Sequence, residues 1–322
     1  MITNILKRYP KLNLSVTPTP IQKLGALSGK FKTNIYCMRD DLTGFAFGGN
    51  KTRKLDYLMA DAKQKGKDTI IGIGANQSNF CRMATAAATV NGMETHLVLA
   101  GNEPETPTGN LLVDHLFGAI IHHTDTENVE VLTERAAELE KQLKTQGKRV
   151  YNMPSGGSTP IGILGYVSAF DEILEFQRKQ GILFDAIFFA SGSGGTQAGL
   201  VLGQQLTNWK GKIIGINVGF AKEQMEYIVE GHVKSTANMI AKEIVPNEII
   251  VDANFIGDAY GVKTNGGKEA IELFAKSEGI LLDYVYTGKA AAGMIEYLRS
   301  GKINRSENIL FIHTGGNIEL FE

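Results

Sequence analysis

The sequence predicts an α/β fold built on parallel sheets. Short apolar runs alternate with amphipathic stretches along the chain, and glycine-rich turns stand between them. That alternation implies strands and helices in turn, with each sheet covered on both faces. The composition agrees. Of 322 residues 43% are hydrophobic and 21% charged, which excludes a disordered chain, a coiled coil and a collagen-like fibre. The length gives a prior of about two domains. Glycine alone departs from ordinary usage, at 37 residues, about 11% against a usual ~7%.

Taken in order, residues 35–38 read as a strand and 51–65 as a helix, with Leu55, Leu58, Met59 and Ala62 at helical spacing. A strand at 69–72 precedes an alanine-rich helix at 79–91, and a strand follows at 94–99. Residues 111–117 are expected to be helical, 119–122 a strand, and 129–146 a helix whose many charges form a solvated face. A helix at 162–180, a buried strand at 186–190, a helix at 196–207 and a strand at 212–218 come next. Helices at 264–278 and 290–300 and a strand at 308–313 complete the pattern. In such folds ligands sit beyond the carboxyl ends of the strands, where turns lead into helices.

Charge and cysteine content narrow the class. The 33 basic and 34 acidic residues nearly cancel, for a net charge of −1. No global field favours nucleic acid or an anionic membrane. Two cysteines, Cys37 and Cys81, make no disulfide framework and fit a reducing compartment. Cys81 is expected to be a small buried helix residue. No cysteine–histidine cluster suggests a metal, and the adjacent pair His122-His123 would point to opposite faces of a strand. No leader pattern or apolar run of spanning length stands out. The expectation is a cytoplasmic protein acting on a small molecule, without metal, nucleic acid or membrane partner.

Three glycine-rich turns carry chemistry. Ser191-Gly-Ser-Gly-Gly-Thr196 follows an apolar strand and opens a helix, the setting in which backbone N–H groups and a helix N-terminus hold an anion. It contains no lysine, so it suits one phosphate better than a triphosphate. Gly44-Phe-Ala-Phe-Gly-Gly49-Asn50-Lys51 resembles a triphosphate loop but has one residue too many. It leaves Lys51 at a helix start, where the helix field lowers an amine's pKa and suits a nucleophilic or Schiff-base lysine. Arg53 and Lys54 are expected to depress Lys51 further or to attract a phosphate. Gly72-Ile-Gly74-Ala-Asn-Gln-Ser-Asn79 lacks the third glycine and the later acidic residue of a dinucleotide site, which argues against a nicotinamide oxidoreductase. Its Gln77, Ser78 and Asn79 suit a substrate carboxylate, or Ser78 and Asn79 simply cap a helix.

Gly48-Gly49-Asn50-Lys51-Thr-Arg-Lys54-Leu55, Gln77-Ser78-Asn79, the 191–196 loop, Tyr286-Thr287-Gly288-Lys289 and His313-Thr314-Gly315-Gly316 occur in this order. Together they resemble the pyridoxal-phosphate (PLP) group of D-cysteine desulfhydrases and 1-aminocyclopropane-1-carboxylate (ACC) deaminases. The resemblance implies PLP fold type II, the tryptophan-synthase-β-like α/β fold with two parallel-sheet domains. A large PLP-binding domain would comprise 1–51 and 161–322, with a small inserted α/β domain at 52–160, in a homodimer. It implies that Lys51 carries the cofactor as an internal aldimine, that Asn79 bonds the cofactor's 3′-oxygen, and that Ser193, Gly194, Gly195 and Thr196 cradle the phosphate with Lys54 close by. Asn50, Gln77, Ser78, Asn79, Tyr260 and Tyr286 would bind substrate, and Lys51, Ser78 and Tyr286 would be catalytic.

Within that group ACC deaminases carry Glu where this chain has Thr287 and Leu where it has Thr314, so the pattern is that of the desulfhydrases. A carboxylate at the pyridine nitrogen deepens the electron sink, and a hydroxyl leaves the nitrogen neutral. Loss of a thiolate needs the shallower sink. The expectation is therefore α,β-elimination of D-cysteine to pyruvate, ammonia and hydrogen sulfide. ACC deamination, L-cysteate or D-serine lyase activity and a non-catalytic PLP-binding role are the alternatives. Two positions depart from the group: Phe80 replaces a histidine, and the tail Asn317-Ile-Glu-Leu-Phe321 replaces an Ala-Pro-Ala type.

Overall fold

The computed structural model describes residues 2–246, 248–304 and 307–321. Met1 and Glu322, the outer bounds of the expected large domain, lie outside them. Among the described residues there are ten strands: β1 Ile21–Lys23, β2 Asn34–Arg39, β3 Thr69–Ala75, β4 Glu94–Ala100, β5 Ile120–Thr124, β6 Val150–Met153, β7 Ala186–Ser191, β8 Lys212–Asn217, β9 Ile250–Asp252 and β10 Asn308–His313. They form two sheets, in the orders β1-β2-β10-β7-β8-β9 and β5-β4-β3-β6. The four-stranded sheet comes from residues 69–153, between the segments that build the other. All pairings are parallel except β1 with β2, where Ile21 faces Met38 in an antiparallel edge.

The helices are α1 Ile2–Leu6, α2 Gly25–Phe31, α3 Asn50–Gln64, α4 Asn79–Val90, α5 Gly109–Leu116, α6 Val129–Thr145, α7 Pro160–Gln180, α8 Gly195–Thr207, α9 Lys222–Met239, α10 Asn265–Glu278 and α11 Thr287–Arg299. None of them is long and apolar enough to cross a membrane. They cover both faces of both sheets. Alternate residues of a strand point to opposite faces, and the cores divide accordingly. Ile187, Phe189, Leu310 and Ile312 pack with α7, α8 and α9 residues such as Phe170, Leu200 and Val229. Phe188, Ala190, Ile309 and Phe311 pack on the other face with Phe274 and Met294. In the smaller sheet Ile70, Leu97 and Leu99 face α3 and α4, whereas Ile71, Ile73 and Val98 face Leu132, Ala136 and Leu143 of α6. The rest of α6 is solvated, as its charge pattern predicts.

Three strands and three helices were not marked by the sequence pattern. The edge strands β1 and β9 have three residues each and β6 has four, too short to show a period. Helix α9 buries a narrow stripe, Met225, Val229, Val233, Thr236 and Ala237, little more than one residue per turn, which dilutes its signal. The short α1 and α2 bury one or two side chains each. Cys81 is fully buried, and burial pushes its thiol pKa up. His122 lies against His96, with 2.9 Å between ring nitrogens.

A buried ion network ties α3 to the larger sheet. The Arg53 guanidinium donates to both Asp40 carboxylate oxygens at 2.8–3.0 Å, to Glu172 at 2.8 and 2.9 Å, and to Thr19 Oγ1 at 2.8 Å. Tyr166 donates its hydroxyl to Asp40 Oδ2 at 2.5 Å. Arg53 and Asp40 are almost wholly removed from water, so the charges are compensated by one another and by fixed donors. Arg53→Met is expected to lower the unfolding free energy by about 3–5 kcal/mol, because the buried carboxylates lose their partner. Urea denaturation measures this; a loss below about 1 kcal/mol, typical of an exposed pair, would contradict it.

Candidate active site

The site is assembled where the carboxyl ends of β2, β10, β7 and β3 converge. The loop before Lys51 is stitched over the first two by its backbone. Gly49 N donates to Asp40 O and Asn50 N to Thr314 O, both at 2.9 Å. The crossing is too close for side chains. A Cβ on Gly315 would lie 2.6 Å from Gly49 Cα, and one on Gly48 would lie 2.0 Å from Asp41 O. All three glycines also have positive φ, between 69° and 126°, where other residues are strained. This crossing fixes the first turn of α3 and with it Lys51.

Lys51 is partly buried in that first turn. Burial pushes its amine pKa down to about 8, and the nearby Glu319 carboxylate opposes the fall. The expected contribution of Arg53 is corrected here. Its guanidinium is committed to Asp40 and Glu172 and is not available to attract a phosphate. Lys54, one turn on, is fully buried, and burial and Lys51 hold its pKa far below that of a free lysine.

The 191–196 loop lies next to Lys54. Lys54 Nζ donates to Gly156 O at 3.0 Å and to Ser158 Oγ at 3.1 Å, and Ser158 Oγ is 2.9 Å from Ser193 Oγ. Thr196 Oγ1 accepts from Asn50 Nδ2 at 3.0 Å, so Asn50 joins this cluster and not a substrate wall. A Cβ on Gly195 would come within 2.7 Å of Lys54 Nζ and 2.5 Å of Ser158 Oγ. Gly194 and Gly195 begin α8, whose N-terminal N–H groups favour an anion. A buried ammonium whose hydrogen-bond partners are neutral, beside hydroxyls and a helix start, fits the phosphate of PLP. Sequence reasoning missed Ser158, although the turn it belongs to is visible as Ser155-Gly156-Gly157-Ser158. It also missed His232, whose Nε2 lies 3.2 Å from Ser193 O.

On the side of β3, Asn79 begins α4 and is nine-tenths buried. Its Oδ1 accepts from Arg82 Nη1 at 2.8 Å, and its Nδ2 donates to Glu319. Ser78 caps α4 by accepting from Cys81 N at 3.2 Å. Gln77 turns the other way. Its Oε1 accepts from Asn110 N at 2.8 Å and its Nε2 donates to Thr108 O at 3.4 Å, so its side chain anchors the start of α5. Phe80 is buried in the core of the smaller sheet and packs beneath Gly157.

The far wall is phenolic. Tyr260 and Tyr286 join their hydroxyls in a hydrogen bond. Tyr260 is half-exposed, with its hydroxyl turned to Tyr286; loss of water around the paired hydroxyls pushes its pKa up to about 12 and that of Tyr286 well above its ordinary value, so both are un-ionised phenols near neutral pH. Asp283 shapes the turn beneath them. It accepts from the N–H groups of Val285, Tyr286 and Thr287 at 2.6–2.8 Å. Thr287 Oγ1 also accepts from Asp283 N at 2.8 Å. Lys289 donates to Ile256 O at 2.7 Å and ties the Tyr260 segment to α11. Thr314, nine-tenths buried, supplies the carbonyl that receives Asn50 N. Arg82 and Glu319, both buried, are further site residues; the departing tail was the one sequence signal for Glu319.

Because only the neutral amine attacks a carbonyl, cofactor-free protein is expected to capture PLP at a rate that rises with pH through a midpoint of about 8. Growth of the visible absorbance band measures it. A midpoint near the ~10.4 of a free lysine would contradict the placement of Lys51.

Comparison with known proteins shows the family. The profile of the family "Pyridoxal-phosphate dependent enzyme" matches residues 12–315. A putative 1-aminocyclopropane-1-carboxylate deaminase from Pyrococcus abyssi is 38% identical over 97% of this chain and 93% of the relative. A D-cysteine desulfhydrase from Serratia proteamaculans is 38% identical over 98% of this chain and 96% of the relative. The crystal structure of an ACC deaminase homologue superposes with a TM-score of 0.91 at 38% identity, covering 98% of this chain and 94% of that one. A threonine deaminase isoform from Solanum lycopersicum, at 20% identity and a TM-score of 0.70, shares the fold. Matched by that profile over nearly its full length and 38% identical to the Pyrococcus and Serratia relatives, this protein belongs to the pyridoxal-phosphate-dependent enzyme family, with fold type II architecture.

Proposed function

We propose that this chain is a D-cysteine desulfhydrase-like lyase, converting D-cysteine and water to pyruvate, ammonia and hydrogen sulfide. Bound PLP supplies the electron sink that makes an α-proton removable. Lys51 provides the amine that anchors the cofactor and takes the α-proton; a base with a pKa of about 8 is matched to operation near neutral pH. Lys54, Ser158, Ser193, Gly194, Gly195 and Thr196 hold the phosphate, and Asn79 orients the ring through its amide. Ser78 and the N-terminal N–H groups of α4 receive the substrate carboxylate. Tyr286, kept protonated by burial and paired with Tyr260, donates to the departing sulfur.

The observation that carries elimination over cyclopropane opening is Thr287. The residue after Tyr286 supplies a hydroxyl, and the Asp283 carboxylate behind it accepts from that hydroxyl and from three backbone N–H groups. A hydroxyl in that place leaves the ring nitrogen neutral, which suffices when a thiolate leaves.

Purified protein is expected to release pyruvate and sulfide from D-cysteine with a higher kcat/KM than it shows for L-cysteine, D-serine or L-cysteate, or for ACC ring opening. Tyr286→Phe is expected to lower kcat by about 10²-fold with PLP content unchanged. An assay of α-keto acid across this panel checks both; faster turnover of ACC than of D-cysteine would overturn the assignment.

A further inference from the structure

Glu319 brings a negative charge into this site from an element remote in sequence. The 3₁₀ segment Asn317–Phe321 follows Gly315 and Gly316, both at positive φ, and packs against α5. Glu319 N donates to Gly316 O at 2.9 Å, which turns the chain back and sends the side chain inward. The residue is only 5% exposed. Its Oε1 accepts from Asn79 Nδ2 while Arg82 Nη1 donates to Asn79 Oδ1, so the Asn79 amide is held between a carboxylate and a guanidinium. Its charge is felt by Lys51, Tyr260 and Tyr286 as well as Arg82, and at each it favours the protonated form. The carboxylate therefore lies against the Asn79 amide, near enough to Lys51 and the two phenols for its charge to act on them.

We infer that Glu319 is a specificity-determining residue: it makes the pocket accept amino acids with a neutral or cationic β-substituent and disfavour those with an anionic one. The inference rests on the lyase reading for the identity of the pocket, and it names the charge class of the substrate. A second carboxylate or a sulfonate at the β-position would face Glu319 at close range in a partly desolvated pocket, where like charges repel far more than in water. The thiol of cysteine carries no such cost. The same charge assists a β-ammonium group, so 2,3-diaminopropionate belongs to the accepted class and cysteate does not.

Binding tests this apart from turnover. D-Alanine and D-aspartate lack a leaving group and differ at the β-position by a carboxylate, and the shift of the PLP absorbance band reports the Kd of each. The PLP-loaded wild-type protein is expected to bind D-alanine at least about tenfold more tightly than D-aspartate. In Glu319→Gln that ratio is expected to shrink by about tenfold, as the charge is lost and the hydrogen bond to Asn79 kept. Equal binding of the two by the wild type, which needs no variant, overturns the inference, and so does an unchanged ratio in Glu319→Gln. Absence of pyruvate from D-cysteine with the binding ratio as expected would overturn the lyase reading and leave the charge selection standing.

Discussion

The buried guanidinium of Arg53 is the constraint on which the rest of the active site depends. Lys51 sits two residues before it, on the first turn of α3. Arg53 fastens that turn to Asp40 at the end of β2 and to Glu172 on α7, both parts of the larger layer. The glycine crossing of residues 48–49 with 315–316 then sets the height of the loop above β10. Ionic pairing of this kind contributes little net stability over a well-packed apolar core. What it fixes is position: one register of α3 satisfies six guanidinium hydrogen bonds, and that register sets Lys51 in the first turn and Lys54 beside Gly156 and Ser158.

The electrostatics of the cleft follow from that placement. Two lysines one turn apart are held in a poorly hydrated space, and each ammonium disfavours the other. The arrangement is costly without an anion and favourable with one. An anion beside Lys54 relieves the buried positive charge, while burial is what lets Lys51 lose its proton readily. Glu319 works against that trend from the opposite side, since it favours protonation of Lys51 and of the two phenols. The pocket is thus graded, positive at the phosphate end and negative at the tail end, with Asn79 between.

Much of this was legible in the sequence where local chemistry speaks for itself. The loop 191–196 announces an anion site because glycine clusters between an apolar strand and a helix have few other uses, and Lys51 is conspicuous because cations are disfavoured at helix starts. The two sheets follow from alternating apolar runs. Other features depend on contacts distant in the chain. Nothing near Arg53 reveals that Asp40 and Glu172 claim it, so it reads as a free cation next to Lys51. Gln77 reads as a substrate ligand until Asn110 is seen to take its carbonyl oxygen. Glu319 reads as an ordinary tail residue; its partner Asn79 is 240 positions away. The three-residue edge strands carry no period to detect.

We propose that Lys51, and neither Lys54 nor Lys289, holds the cofactor. Lys54 and Lys289 are both fully buried, and burial lowers the amine pKa of each as it does that of Lys51, so reactivity alone does not choose between them. Reduction of the PLP-loaded protein with borohydride, followed by digestion and mass spectrometry, locates the attachment directly. The geometry predicts the pyridoxyl group on the peptide containing Lys51, with fragment ions placing it on that residue. Attachment at Lys54 or Lys289 would contradict the account.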